Sequence, residues 1–494
     1  MERRNFFKIA GLATMAGLID THFSWAQKIT EHGQKYINDE ENGRLLIKGA
    51  QIITMDHRNT RLLGDILIQN GKIEKIAEHI QSENCRIIEA DGKFVLPGFI
   101  NTHNHMWEGI TRGFSATMTM PEYMDWLIKK IGPALTPEDV YLGTLISALE
   151  QVNAGVTTVL DWAHATNSPE YADAGVDALQ ESGIRAVFAY GLLGPAFRYP
   201  YSEKQGGKKY LEDVYRMKKE RLTSGDGLVT LGIATTVPEH KDINKLKTEA
   251  RAAEELDALL TMHIGPLPFR DIGTMRIADL HATGVINHRF NFVHGNDITE
   301  REFHYIKDSG ASLSVTPEVE WQMGHGVPPL LQSSQAEITL ALGTDVSASV
   351  SNDMFAQMRS AYSTTLGMAH QKAVGENKLF EQKLPVTLND ILAMGTIGGA
   401  KALGLDHMTG SLEVGKQADI ILIENKAMNM IPATDPIATI VLQAHPGNVD
   451  TVIIGGRVLK EKGKLLQHQI DSDAMFSKIQ TASDRLYTKS IKSQ

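Results

Sequence analysis

Cysteine is almost missing from this chain: 494 residues contain one, Cys85. A single thiol cannot close an intramolecular disulfide or build a cysteine-based zinc cluster, so any metal must be held by His, Asp or Glu. Basic charge is short as well, with 49 Lys and Arg against 59 Asp and Glu and a formal net charge of −10. Phosphate recognition needs a stripe of Lys and Arg, so no nucleic-acid partner is expected. No run reaches 18 apolar residues, which argues against a stable membrane anchor. Neither Gly-x-Ser-x-Gly nor His-Glu-x-x-His occurs, and no Gly-x-Gly-x-x-Gly follows the first strand-like run. The usual serine-hydrolase, zinc-protease and dinucleotide signatures are therefore absent. Gly410–Lys416 has phosphate-loop spacing, but Gln417 replaces the required Ser or Thr and a strand pattern follows.

What is present begins with an address. Residues 2–8 read Glu-Arg-Arg-Asn-Phe-Phe-Lys, followed by the apolar run Ile9 to Ile19 and then Ser24-Trp25-Ala26. The charged start, short apolar run and small-x-small ending are the pattern of an export signal. The pair Arg3-Arg4 resembles the twin-arginine type, which delivers proteins already folded. Residues 1–26 are thus expected to be removed, with the twin-arginine export machinery as a partner and a periplasmic location for the mature protein.

Residues 44–94 and 405–465 carry short strand patterns separated by turns such as Asn70-Gly71 and Gly455-Gly456. Together they are expected to form one small discontinuous β-sandwich, with residues 466–494 as a polar tail. Between them, residues 95–404 alternate apolar runs with helical periodicity. The runs are Val95–Asn101, Val156–Asp161, Ala186–Tyr190, Val229–Thr235, Leu259–His263, Phe290–His294, Ala311–Thr316 and Ile338–Asp345. Eight is the number of a (β/α)8 TIM barrel, the expected α/β fold. Residues 192–227 read as an insertion of lid or flap type.

The chemistry sits where the runs end. His103 and His105 close the first, His263 the fifth, His294 the sixth and Asp345 the eighth. Strand C-termini converge on one face of a barrel, so these side chains are expected in one mouth. Residues two apart on a strand share a side of the pleat, so His103 and His105 can grip one ion. His263 and Asp345 complete a His₃Asp set with room for water, whose pKa such an ion lowers from about 15.7 to about 7. That is hydrolytic chemistry.

Pro97-Gly98-Phe99-Ile100-Asn101-Thr102-His103-Asn104-His105 resembles the first-strand motif of the amidohydrolase superfamily. Met262-His263, Val293-His294-Gly295-Asn296, Leu342-Gly343-Thr344-Asp345 and the closing Gly410–Asp419 segment extend the resemblance over about residues 44–465. It is most similar to the metal-dependent cytosine and guanine deaminase and s-triazine chlorohydrolase branch. The resemblance implies one divalent ion, zinc or iron, on His103, His105, His263 and Asp345. It implies that Asp345 also takes a proton from water and that His294 orients water or the leaving group. No lysine ends the fourth run at Ala234-Thr235-Thr236, so a bridging carboxylated lysine is not expected. Branch members often form dimers or larger homo-oligomers.

Two departures stand out. The branch usually has His-x-x-Glu on its fifth strand, where this chain has His263-Ile264-Gly265-Pro266, and proline cannot transfer a proton. After the seventh run, Pro317-Glu318-Val319-Glu320 and Met323-Gly324-His325-Gly326 replace the common Pro-x-Ser-Asn pattern. Glu320 is the expected replacement acid or base, with Glu318 and His325 as further substrate-binding candidates. Trp107 and Glu108, just beyond His105, are expected to bind substrate. Arg112, Trp126, Trp162, His164, Phe197 and Arg198 are weaker candidates for pocket walls. The expected activity is metal-dependent hydrolysis of a non-peptide carbon–nitrogen bond, as in deamination of a cyclic or amidine-like small molecule. The alternatives are cleavage of an amide, a carbamate or a ring substituent such as chloride, and a non-catalytic binding protein that retains the metal.

Overall fold

The computed structural model describes residues 43–81, 83–192, 203–236, 241–269, 273–380, 383–466 and 472–492. The proposed export segment 1–26 and the wall candidates Phe197 and Arg198 lie outside the described residues. No helix among the described residues is long and apolar enough to cross a membrane.

Nine strands form one small sheet: β1 Arg44–Ile53, β2 Arg61–Gln69, β3 Lys72–Ala77, β4 Arg86–Glu89, β5 Lys93–Pro97, and, from the far end of the chain, β14 Ile420–Glu424, β15 Val449–Ile454, β16 Arg457–Glu461 and β17 Lys464–Leu465. The two halves join where β5 pairs antiparallel with β14 and parallel with β1. Alternation sorts its side chains. Ile420 and Leu422 enter a core confined to this sheet with Ile47, Ile66 and Ile68. Ile421 and Ile423 point the other way, into the main core shared with the barrel.

The eight strands between are β6 Phe99–Asn104, β7 Val156–Ala163, β8 Arg185–Tyr190, β9 Val229–Thr235, β10 Leu259–Ile264, β11 Phe290–His294, β12 Ser312–Val315 and β13 Thr339–Leu342. They pair in sequential order, all parallel. The barrel closes at its C-terminal rim, where Asn104 bridges Asp345, the Asp345 amide donates to His103 O and the His105 amide donates to Asp345 O. The closing seam thus lies among the candidate ligands.

The single apolar run Val95–Asn101 is two strands, β5 in the small sheet and β6 in the barrel. Gly98 is the break: a Cβ there would stand 2.0 Å from Thr157 Cγ2. Both strands are buried on both faces, so hydropathy shows one continuous run. The expected lid is corrected where it is described. Glu203–Glu220 is a barrel helix whose Tyr210, Val214 and Met217 are buried in the main core. The tail forms a helix, Ser472–Lys492, docked through Met475 and Leu486.

Candidate metal centre and active site

β6 runs out through His103-Asn104 into His105, and the extended backbone sends His103 and His105 to one side while Asn104 turns away to Thr344 and Asn352. The Nε2 atoms of His103 and His105 lie 3.1 and 3.4 Å from Asp345 Oδ1. His263 closes the triangle, its ring centroid 5.1 Å from that of His103 and 5.5 Å from that of His105. His294 Nε2 is 3.8 Å from Asp345 Oδ2, and its ring stacks on His263 at 5.5 Å and 13°.

Two of these residues carry backbone strain. His294 has φ 75° and Asp345 φ 63°, in the left-handed region that costs a non-glycine residue roughly 1–3 kcal/mol. Both sit at the rim of the barrel, where each strand must turn sharply to aim its side chain inward.

The set fits a divalent ion. One ligand atom from each of His103, His105 and His263 lies within 4.8 Å of the others, and the same holds for His103, His294 and Asp345. His105 Nδ1 donates to the Trp162 carbonyl at 2.9 Å, which fixes the tautomer and leaves the Nε2 lone pair facing the centre. Burial, reinforced by the charge of His103, pushes His105 down to about 3. Burial and the neighbouring imidazoles also hold His263 well below its ordinary value. Burial works to raise Asp345, but the hydrogen bond from His103 and the imidazole charges outweigh it, so the carboxyl stays ionised well below the usual range. An ionised carboxylate with imidazole nitrogens converging on it is the donor set a divalent cation requires, each ligand offering a lone pair once deprotonated. β9 ends at Thr235 with Thr236 following, so no lysine enters from that strand.

Glu320 lies behind His294 instead of in the open centre. Its Oε1 is 3.2 Å from His294 Nδ1 and accepts the Thr316 amide at 2.8 Å, while its Oε2 accepts Asn296 Nδ2 at 3.2 Å. Burial dominates and raises this carboxyl to about 7. The His325 ring packs edge-on against His294 at 4.6 Å, and its buried Nδ1 has no partner.

Glu318 is not brought to the site. It and Glu320 lie two apart in the helix Pro317–Gln322 and so face opposite sides. Glu318 accepts Gln357 Nε2 at 2.8 Å on the helix Met354–Gly375. Trp107 and Glu108 are buried behind His105. Trp107 Nε1 donates to His164 Nδ1 at 3.1 Å, and Glu108 Oε1 accepts the Tyr123 hydroxyl at 2.5 Å while its Oε2 has no partner. Burial holds Glu108 well above the carboxylate range. Among the wall candidates, Trp162 stacks on His263 at 4.7 Å and His164 lies 4.1 Å from His105, both measured between ring centroids. Arg112 instead pairs with Glu150, and Trp126 packs against Phe114 and Tyr487.

Sequence reasoning missed Tyr123, Thr316 and Asn296. The last two had a local signal, since one directly follows the seventh strand and the other follows His294-Gly295. Tyr123 had none, because its role depends on a fold-back from a separate helix.

Residues 94–459 match the amidohydrolase family. A 5'-deoxyadenosine deaminase from Methanobrevibacter smithii is 28% identical over 90% of this chain and 98% of its own length. A 5-methylthioadenosine/S-adenosylhomocysteine deaminase from Pelotomaculum thermopropionicum is 29% identical over 90% and 99%. Among solved structures, a zinc-bound adenosine deaminase from Xanthomonas campestris superposes with a TM-score of 0.79 at 23% identity, over 90% of this chain and 98% of its own. A zinc complex of atrazine chlorohydrolase from Arthrobacter aurescens TC1 gives 0.75 at 22%, over 89% and 100%.

Proposed function

The chain belongs to the amidohydrolase family and is a metal-dependent hydrolase of carbon–nitrogen bonds in a small molecule, and from that premise we propose that it removes an exocyclic amine from a purine nucleoside or a related planar ring. The observation that carries this reading is the convergence of His103, His105, His263 and Asp345 at the barrel mouth with His294 beside them. Trp162, fully buried and stacked on His263 at 4.7 Å, fixes the plane of that imidazole. The deaminase relatives match over nearly their whole length, which supports adenosine-type substrates.

In this reading His103, His105, His263 and Asp345 hold one divalent ion, and zinc in two structural relatives supports zinc over iron. Such an ion supplies a nucleophile at neutral pH by lowering the pKa of water to about 7. Asp345 orients the attacking water and takes its proton through Oδ2, the carboxylate oxygen that also faces His294. His294 faces the leaving group with Nε2. We also assign residues 1–26 to twin-arginine export and the mature chain to the periplasm, on the strength of Arg3-Arg4 and the apolar run that follows.

Pro266 favours a second reading, because no side-chain acid follows His263 on its strand. A leaving group that departs without a proton, such as ring chloride, would not need one. Incubating protein of measured zinc content with adenosine, 5'-deoxyadenosine, 5'-methylthioadenosine, guanine, cytosine and chlorotriazines tests both readings. Ammonia from the purine nucleosides is the expected result. Chloride without ammonia would replace deamination with the second reading, and neither product would overturn the deaminase assignment.

A further inference from the structure

We propose that Glu320 is the positioning residue that lets His294 protonate the leaving nitrogen, so that a carboxylate delivered from the seventh strand serves the chemistry that Pro266 cannot. The inference rests on the deaminase reading and adds a residue to it.

The need is chemical. When water adds to the ring carbon and the C–N bond breaks, the bonding pair leaves on nitrogen, which must gain a proton to depart as ammonia. The strand carrying His263 ends at Ile264 and Gly265-Pro266 follow, a stretch that offers no side-chain donor. The ring that lies between Asp345 and a second carboxylate is His294. Its Nε2 is 3.8 Å from Asp345 Oδ2 and its Nδ1 is 3.2 Å from Glu320 Oε1.

The geometry around Glu320 is built rather than incidental. The side chain is fully buried, and Thr316 N, Thr316 Oγ1 and Asn296 Nδ2 donate to its two oxygens at 2.8, 3.3 and 3.2 Å. Burying a carboxyl is expensive; with Thr316 N and Oγ1 on Oε1 and Asn296 on Oε2, the remaining contact is His294 Nδ1, which lies 3.2 Å from both Glu320 Oε1 and Thr316 Oγ1. His294 in turn keeps a strained left-handed backbone that aims its ring inward. A base oriented by a third group is the arrangement by which hydrolases place an imidazole.

The proton count closes on these groups. Water forms the new C–O bond and gives one proton to Asp345. That proton crosses to His294 Nε2 and then to the departing nitrogen. His294 Nδ1–H donates to Glu320 throughout, fixing the tautomer that leaves Nε2 open and stabilising the ring while it carries charge. The amine and water enter, the hydroxylated ring and ammonia leave, and no proton is lost or gained.

The test compares leaving groups. Glu320→Gln keeps the shape and loses the charge, and Glu320→Asp retains the charge. Each variant, with metal content measured, is assayed on 6-amino- and 6-chloropurine ribonucleosides. Chloride leaves as an anion and needs no proton. The expected result for Glu320→Gln is a fall in kcat for ammonia release of about 100-fold with KM within about threefold, and an ammonia-to-chloride rate ratio lowered at least about tenfold. Glu320→Asp recovers part of the ammonia rate at the same metal content. Equal falls on both leaving groups, or no fall, would overturn the role of Glu320 while leaving the deaminase reading intact. Wild-type enzyme that releases no ammonia would instead overturn the reading beneath it.

Discussion

At the scale of single residues, buried carboxyls of this barrel are held in opposite states. Asp345 stays ionised among imidazoles, whereas Asp161, on β7 and bonded to the Met106 amide at 3.2 Å, is raised by burial to about 7. An unfolded aspartate titrates near about 3.9. Between those values the folded chain holds a proton the unfolded chain has released, so this group's stabilisation is lost as pH rises from about 4 through about 7. Asp161→Asn keeps the Met106 hydrogen bond and removes the titration. Relative to wild type, it should gain stability between pH 4.5 and 8 on the order of 4 kcal/mol at most, read by chemical denaturation at fixed metal content. Parallel pH profiles for the two proteins would refute the assignment. His263→Ala and Asp345→Asn should each abolish stoichiometric metal and lower kcat at least about 100-fold, checked by elemental analysis and turnover.

At the scale of elements, much of the site was legible because strand ends carry it. An apolar run that closes on His or Asp marks both a buried strand and the face to which it delivers chemistry, and His103, His105, His263, His294 and Asp345 all had that signature. The sequence favours Glu320 over Glu318 but places both at the site. Only the helix Pro317–Gln322, which places them on opposite sides, sends one to His294 and the other to Gln357. The break at Gly98 was hidden for a different reason, since its cause is the approach of Thr157 from a neighbouring strand. Gly343 sits at the closing seam on the same principle: a Cβ there would stand 2.8 Å from His103 O and 2.9 Å from His103 N. Gly343→Ala should therefore push β6 outward and weaken metal binding by about 10–100-fold, the range seen when groups that orient ligands are disturbed. A competition titration with a chromophoric chelator measures this, and unchanged affinity would show that the seam does not set the ligand geometry.

At the scale of the whole molecule, the small sheet and the barrel are tied by a buried ion pair as well as by apolar packing. Arg185 at the start of β8 donates to Asp419 at 2.7 and 3.1 Å, and Asp419 also accepts the Gly455 amide at 2.7 Å. The closing segment that ends in Asp419 thus acts as a clamp on the barrel's N-terminal side, away from the metal residues. Its place in the chain was legible, but its partner, more than two hundred residues earlier, was not. Asp419→Ala leaves Arg185 buried and unpaired and should cost about 3–5 kcal/mol, with little effect on the KM of the surviving folded enzyme. A loss below about 1 kcal/mol would mean that solvent or another group takes over the pairing.

The central claim is that hydrolysis depends on one ion held by His103, His105, His263 and Asp345. It is tested most directly by stripping the metal and adding zinc back in measured steps while ammonia release from a purine nucleoside is followed. Activity should rise in proportion to bound zinc and level off at one ion per chain. Full activity in the stripped protein, or none after one zinc per chain is bound, would contradict it.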